Sequence, residues 1–398
     1  MRKFVIITLA VPLIALVAYS MFTRLYTPDD IPEDFDYNEK EFEVTAADGA
    51  SLATTAVQVK TQDTARPIIV QVAERSLDRD WNSRSVSFRT GERLAAILGG
   101  AGYHSLRFDH RGTGETRASR RTSTDLELMA TDILSVARAG RRRFAPSIKI
   151  EGLGPEPITA GPAPVFYIAH DSGCALALKA VADELKSRAN GKQAKAGATK
   201  PGPRPAGVVL LACDTSGTLL EQWGRQLLYN MQRKNVDPAI VERARAEWRQ
   251  LLKDGRLPEK EIAATEQPPP DLVAFREALR FLHSDGMREF RETAAQLDLE
   301  ASLRVLLQYD VPVLHLIGTM DSELPPEAMA STRDLADKLR TNKNYRLQIL
   351  PAMNHFLKKQ ERDLQGPGLA LERMNPFRII QPNATRLIRE FIEANLAE

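Results

Sequence analysis

Two kinds of hydrophobic pattern alternate along most of this chain. Near residue 40, Glu41–Val44 and Leu52–Val59 alternate apolar and polar residues on either side of Asp48-Gly49, which predicts a β-hairpin. Beyond it, short apolar runs typical of buried strands are separated by segments with helical periodicity. The predicted strands are Pro67–Ala73, Leu106–Asp109, Val165–Ala169, Gly207–Ala212, Val311–Ile317 and Tyr345–Leu350. The predicted helices are Phe88–Leu98, Thr124–Ala139, Gly173–Lys186, Pro326–Leu339 and Ala384–Leu396. This alternation predicts an α/β fold, with a mostly parallel central sheet and helices on both faces.

Two stretches interrupt the alternation. Ala189–Pro205 is rich in Lys, Gly, Ala and Pro, which is typical of a flexible surface loop. Thr215–Val305 contains helical patterns around Leu219–Lys234, Pro238–Lys253 and Leu272–Phe281 but no clear strand pattern. We therefore interpret residues 214–305 as a helical insertion in a core formed by residues 40–213 and 306–398.

The first 26 residues differ in kind from the rest. Arg2 and Lys3 precede an uncharged apolar run from Phe4 to Phe22. As a helix this run would span roughly 28 Å, close to the hydrocarbon thickness of a bilayer. The basic end favours a cytoplasmic N-terminus, so the sequence predicts a membrane-anchored protein whose main body lies outside the cytoplasm, in a periplasmic or extracellular space. The alternative is a signal peptide that is cleaved to release a secreted protein.

Composition narrows the possible partners. The formal charge of +2 over 398 residues lacks the basic excess of a nucleic-acid-binding protein. No dinucleotide fingerprint, phosphate-binding loop or metal-ligand spacing occurs, so we expect a small-molecule substrate, no cofactor and no metal. Cys174 and Cys213 could form one disulfide or remain buried thiols. The oligomeric state is not determined by the sequence.

The segment from Val165 to Ala177 carries the most chemical information. A buried strand runs directly into a helix, as in a nucleophile elbow, where the residues two before and two after the nucleophile must be small. Centring the turn on Ser172 would place His170 and Cys174 at the crowded positions. Centring it on Asp171 places Ala169 and Gly173 there. The pattern therefore favours Asp171 as the exposed residue, with Ser172 at the start of the helix.

Two later segments supply partners for this residue. Asp321 lies in a loop after one predicted strand, and His355 lies in a loop after the next. The chain order of nucleophile, acid and histidine is that of α/β-hydrolases. We therefore predict a catalytic triad of Asp171, His355 and Asp321, with a raised histidine pKa as its signature.

From about residue 40 onward the chain resembles the α/β-hydrolase superfamily, and in particular its serine aminopeptidase S33-like group. The segments that carry the resemblance are residues 78–83, residues 106–116, the elbow, residues 311–321 and residues 351–355. The resemblance implies a hydrolase with a helical cap between strands six and seven. Members of that group usually have Gly-His-Ser at the elbow, where this chain has Ala169-His170-Asp171. They also have a glycine-rich loop after the third strand, where this chain has Ala73–Ser76.

An aspartate at the elbow is similar to that of haloalkane dehalogenases and epoxide hydrolases, which have Gly-His-Asp-Trp-Gly. This similarity implies attack by Asp171 on a carbon of an ester, an epoxide or a similar bond in a small or medium hydrophobic molecule, followed by hydrolysis of the enzyme ester. Backbone N–H groups of Ser172 and of Glu74 or Arg75 would then form the oxyanion hole. Two alternatives remain open: a degenerate hydrolase that acts as a membrane-anchored binding module, and a serine hydrolase that uses Ser172.

Overall fold

The structure is a computed structural model and describes residues 31–61, 66–84, 86–119, 122–144, 163–189, 204–254, 270–360 and 379–396. The predicted anchor or signal segment, residues 1–26, lies outside these residues, as does most of the predicted loop Ala189–Pro205. Within the described ranges, no helix combines the length and the apolar character that a bilayer crossing requires.

Eight strands form one sheet, and they confirm the predicted fold class. The strands are β1 (Tyr37–Thr45), β2 (Ser51–Val59), β3 (Ile68–Val72), β4 (His104–Phe108), β5 (Val165–His170), β6 (Gly207–Leu211), β7 (Val313–Gly318) and β8 (Tyr345–Leu350). Their order across the sheet is β1-β2-β4-β3-β5-β6-β7-β8. β2 pairs in an antiparallel manner with β1 and with β4, whereas all later pairs are parallel. The carboxyl ends of β3, β5, β6, β7 and β8 therefore lie along one edge, where ligands of open α/β sheets bind.

Helices cover both faces of this sheet. The core helices are α1 (Thr90–Gly100), α2 (Leu126–Phe144), α3 (Gly173–Ala189), α8 (Leu299–Gln308), α9 (Pro326–Leu339) and α10 (Pro382–Ala394). Successive residues of β5 point to opposite faces. Tyr167 packs into the cluster that contains α2 and α3, while Phe166 and Ile168 pack into the cluster that contains α1 and α10. Because both faces are buried there, the central strands β3, β5, β6 and β7 have largely continuous apolar sequences instead of alternating ones.

The segment between β6 and β7 is helical. It contains α4 (Leu219–Arg233), α5 (Pro238–Asp254), α6 (Pro270–His283) and α7 (Arg288–Gln296) before α8. A capping box starts α4: the Thr218 hydroxyl accepts a hydrogen bond from the Glu221 N–H, and the Glu221 carboxylate accepts one from the Thr218 N–H. The predicted boundary at residue 305 falls inside α8, which packs against α3 of the core.

Two helices begin and end a few residues from their predicted bounds. The predicted helix Phe88–Leu98 is α1 at Thr90–Gly100, and a Cβ at Gly100 would collide with the backbone carbonyl of Pro32. The predicted helix Thr124–Ala139 is α2 at Leu126–Phe144, and the Asp125 carboxylate before it accepts hydrogen bonds from the N–H groups of residues 127 and 128.

Cys174 and Cys213 form a disulfide, so the bridge is the alternative that the structure adopts. Cys174 lies in the first turn of α3, and Cys213 follows β6. The bond therefore joins two segments that leave the carboxyl edge of the sheet.

Candidate active site

The turn between β5 and α3 has the backbone of a nucleophile elbow. Asp171 has a φ of +49°, in the left-handed region that non-glycine residues seldom adopt. A Cβ at Gly173 would lie 2.7 Å from the Val72 carbonyl oxygen and would also collide with that of Ala73. Glycine is thus required two residues after Asp171, because the helix starts against the loop that follows β3. The local structure has the register that the sequence favoured, with Asp171 at its apex.

His355 is fixed from one side by Asp321. Its Nδ1 lies 3.1 Å from both carboxylate oxygens of Asp321. The Asp321 side chain is fully buried and also accepts hydrogen bonds from the N–H groups of Glu323 and Leu324, each 3.0 Å long. Burial would raise the pKa of Asp321, but the charge of His355 and these hydrogen bonds lower it overall. Asp321 is therefore an ionised acceptor that holds Nδ1 of His355 as a donor.

The other ring nitrogen of His355 faces Asp171. Nε2 lies 3.7 Å from a carboxylate oxygen of Asp171, within ion-pair range but longer than a hydrogen bond. The Asp171 side chain is 39% exposed, so one side of this pair is open to the cavity. Burial lowers the pKa of His355, but Asp321 and Asp171 outweigh it and raise that pKa well above its ordinary value. The geometry thus brings together the three residues that the sequence predicted as a triad.

Glu74, from the loop after β3, is a third acid beside His355. One potential donor atom from each of Glu74, Asp171 and His355 lies within 4.8 Å of the other two. The Ser76 hydroxyl donates a 2.5 Å hydrogen bond to the Glu74 carboxylate. Partial burial and the neighbouring Asp171 carboxylate raise the pKa of Glu74 to about 7. The sequence identified Glu74 only as a backbone donor, because nothing in the local pattern shows where its side chain points.

The same three side chains form a possible donor set for a metal ion, although no local spacing motif predicts one. Two carboxylates and a histidine are ligands that Zn²⁺ accepts, and Asp321 would orient the histidine from behind.

One of the predicted oxyanion-hole donors, the Arg75 N–H, already has a hydrogen-bond partner. The Arg75 N–H donates a 3.2 Å hydrogen bond to the Ser172 hydroxyl. This bond holds the loop after β3 against the start of α3, next to Asp171. The Ser172 oxygen accepts a hydrogen bond from the backbone, while the ring of His355 faces the carboxylate of Asp171 instead.

His170 and Trp81 support the site in a way that the sequence did not predict. The fully buried His170 ring stacks on Trp81 with 4.7 Å between ring centroids. Its Nε2 lies 2.9 Å from the backbone carbonyl oxygen of His355. Burial lowers the pKa of His170 to about 4, so it is a neutral donor at pH 7. His170, the residue before Asp171, therefore links the end of β5 to the loop that carries His355.

A cavity of about 500 Å³ opens above Asp171 and His355. The walls include Phe88, Phe290 and Phe356 from different parts of the chain, and Trp223 on α4. Three polar side chains of α4 also line the cavity; these are Gln222, Gln226 and Asn230. Trp223 lines the cavity, and the Trp248 ring lies 5.8 Å from it between ring centroids, whereas Trp81 stacks on His170 in the core. Residues of the helical segment between β6 and β7 therefore form part of the wall of a mainly apolar space over Asp171 and His355.

Comparisons with known proteins agree with this architecture. A family model described as the alpha/beta hydrolase family matches residues 78–357, a range that contains all three predicted triad residues. No curated protein matches the sequence.

Similar solved structures include esterases. One is an esterase from Pyrococcus furiosus, with 13% identity over 93% of this chain and 97% of the other, and a TM-score of 0.47. A second is a thermophilic esterase from Thermogutta terrifontis, with 15% identity over 89% and 99% and a TM-score of 0.44. A third is Est1E from Butyrivibrio proteoclasticus with bound ferulic acid, with 16% identity over 89% and 99% and a TM-score of 0.46. These are likenesses of fold.

Proposed function

Because the chain belongs to the alpha/beta hydrolase family, we propose that it is a hydrolase in which Asp171 is the nucleophile, His355 the base and Asp321 the acid that orients the base. The substrate is a small or medium hydrophobic molecule with an ester, epoxide or similar bond. The apolar walls and the size of the cavity support this substrate class.

The reaction proceeds in two steps. The Asp171 carboxylate attacks a saturated carbon of the substrate, and the bond from that carbon to oxygen breaks with its electron pair going to the oxygen. That oxygen departs as the carboxylate of an ester or stays attached as the alkoxide of an opened epoxide, which then takes a proton, and an alkyl-enzyme ester forms. Esterification removes the Asp171 charge, one of those that raise the pKa of His355, so the ring can lose its proton. His355, held by Asp321, then takes a proton from a water molecule as the water attacks the Asp171 carbonyl carbon. Collapse of that intermediate releases the alcohol and restores the carboxylate. Backbone N–H groups of Ser172 and of Glu74 stabilise the oxyanion, at about 3 kcal/mol for each well-placed donor, since the Arg75 N–H already donates to the Ser172 hydroxyl.

One observation carries the proposal. Asp171 occupies the left-handed apex of the elbow with its carboxylate 3.7 Å from Nε2 of His355. Ser172, the only hydroxyl that could replace it in the elbow, instead accepts a hydrogen bond from the Arg75 N–H. This arrangement favours the Asp171 carboxylate over the Ser172 hydroxyl as the nucleophile that works with His355.

We place the protein close to the serine aminopeptidase-like group of the family, with an aspartate in place of the usual serine. We also place its main body outside the cytoplasm, attached to a membrane through residues 1–26 or secreted after their removal. The apolar run from Phe4 to Phe22 behind two basic residues supports this location. Fractionation of cells that produce the full chain tests it, and recovery of the protein in the cytosolic fraction would contradict it.

Trapping of the enzyme ester tests the chemistry. The variant His355→Gln, incubated with a panel of epoxides and alkyl esters, should gain the mass of one substrate on the peptide that contains Asp171, because the second step is blocked. Wild type should turn the same substrate over, and Asp171→Asn should lose turnover by about 10⁴-fold or more, the scale of a lost triad nucleophile.

Two outcomes would favour the alternatives. Labelling by a fluorophosphonate that Ser172→Ala abolishes would make the protein a serine hydrolase, since such probes react with activated serines. Absence of both turnover and trapped ester across the panel would favour a degenerate hydrolase that binds ligands at the membrane.

A further inference from the structure

Glu74 has no role in the mechanism above beyond its backbone, yet its carboxyl group faces the reacting atoms. It lines the cavity with Asp171 and His355, and donor atoms of the three lie within 4.8 Å of one another. Retaining glycosidases separate a carboxylate nucleophile from a carboxylic acid by a similar distance, about 5–5.5 Å, so that both reach one scissile bond.

We propose that Glu74 is the catalytic acid of the first step, and that the preferred substrate is an epoxide. This inference rests on the proposed function, because it requires Asp171 as the nucleophile. As an Asp171 oxygen bonds to one epoxide carbon, the bond from that carbon to the ring oxygen breaks. The electron pair of that bond goes to the oxygen, which takes the proton from the Glu74 carboxyl. The product is a hydroxyalkyl ester of Asp171, and its hydrolysis gives a vicinal diol and returns a proton to Glu74.

The surroundings of Glu74 suit a proton donor. Partial burial raises the pKa of its carboxyl, and Asp171 and Glu323 raise it further, while the Ser76 hydroxyl and His355 lower it; the result is about 7. The Arg75 side chain is also positively charged. Its guanidinium packs over the Phe290 ring, with 4.6 Å between the guanidinium carbon and the ring centre.

The leaving group distinguishes the substrate classes. An opening epoxide generates an alkoxide, which is too basic to leave without a proton. A bromide ion leaves unprotonated. A carboxylic acid beside the nucleophile therefore assists epoxides and gives no such help to alkyl bromides.

The experiment compares His355→Gln with the double variant Glu74→Gln/His355→Gln, in the presence of EDTA. The His355→Gln background stops the reaction at the ester and removes His355 as a rival proton donor. Alkylation of Asp171 by styrene oxide and by a benzylic bromide is followed by mass spectrometry. Glu74→Gln should slow the epoxide reaction by about 10²-fold or more, the usual effect of a general acid. The bromide reaction should keep its rate, which also shows that the double variant is folded. Glu390→Gln, on the exposed face of α10, is the matched control and should change neither rate.

The pH profile gives a second readout. In the His355→Gln background, the epoxide rate should fall as pH rises, because the Glu74 carboxyl then loses the proton that it donates. Ser76→Ala removes the hydroxyl that stabilises the Glu74 carboxylate and should move this fall to higher pH. The bromide rate should stay flat.

Each result has a distinct meaning. Equal epoxide rates with Glu74 and with Gln at this position would overturn the acid and leave Asp171 as the nucleophile. Failure of both reagents to alkylate Asp171 would overturn the proposed function itself. If the effect of Glu74→Gln appears only when EDTA is replaced by Zn²⁺, Glu74 acts as a metal ligand and the proton-donor assignment is overturned.

Discussion

The two sides of the His355 ring are built differently. On the Nδ1 side, Asp321 is fully buried and accepts hydrogen bonds from the ring and from two backbone N–H groups. On the Nε2 side, Asp171 is 39% exposed and 3.7 Å away, with Glu74 beside it. The first side fixes a ring orientation and a tautomer, whereas the second leaves space for a substrate. A rigid, buried support behind an open reacting side is what preorganised catalysis requires.

The largest effect is expected from a change on the rigid Nδ1 side of His355. Asp321→Asn should reduce turnover by about 10³- to 10⁴-fold with little change in structure, because an amide can hold the ring in the wrong tautomer. It should also lower the His355 pKa, which NMR titration measures directly. Asp334→Asn, on the exposed face of α9, is the control. Turnover within tenfold of wild type would show that Asp321 does not orient the base.

A second prediction uses the pKa of His355, which both sides raise. In the unfolded chain this pKa is about 6.5. Since folding raises it, the stabilisation is fully present below pH 6.5 and is lost as pH rises through the folded value. Each unit of the shift corresponds to about 1.4 kcal/mol. The difference in unfolding free energy between wild type and His355→Gln, measured with urea, should therefore decrease from pH 6 to alkaline pH. A difference that does not change over this range would contradict the raised pKa.

The smallest effect is expected from His170, which holds the backbone of the loop that carries His355. His170→Phe keeps a ring against Trp81 but removes the hydrogen bond to the His355 carbonyl. We expect a loss of about 1 kcal/mol in unfolding free energy, the usual net value of one hydrogen bond. Turnover should fall modestly as the His355 loop loosens. Stability and turnover equal to those of wild type would show that the loop is held by its other contacts.

Much of the fold was predictable because strand and helix patterns are local. The hairpin around Asp48-Gly49 and the buried strands followed from apolar spacing, and the structure contains them. Helix ends were less predictable: the predicted helix Phe88–Leu98 is α1 at Thr90–Gly100, and Pro32, from elsewhere in the chain, lies against Gly100. The sequence could not show such an approach, since it depends on a partner that is not a neighbour in the chain.

The candidate site divides in the same way. The sequence by itself determined the α/β-hydrolase architecture, the register of the elbow and the order of Asp171, Asp321 and His355, because small-residue spacing and strand order are written along the chain. Only the tertiary structure decided that the Glu74 side chain faces Asp171, that His170 holds the His355 loop, and that Cys174 pairs with Cys213. These contacts join segments that are distant in sequence, and the parallel sheet brings them together because its strands end at one edge.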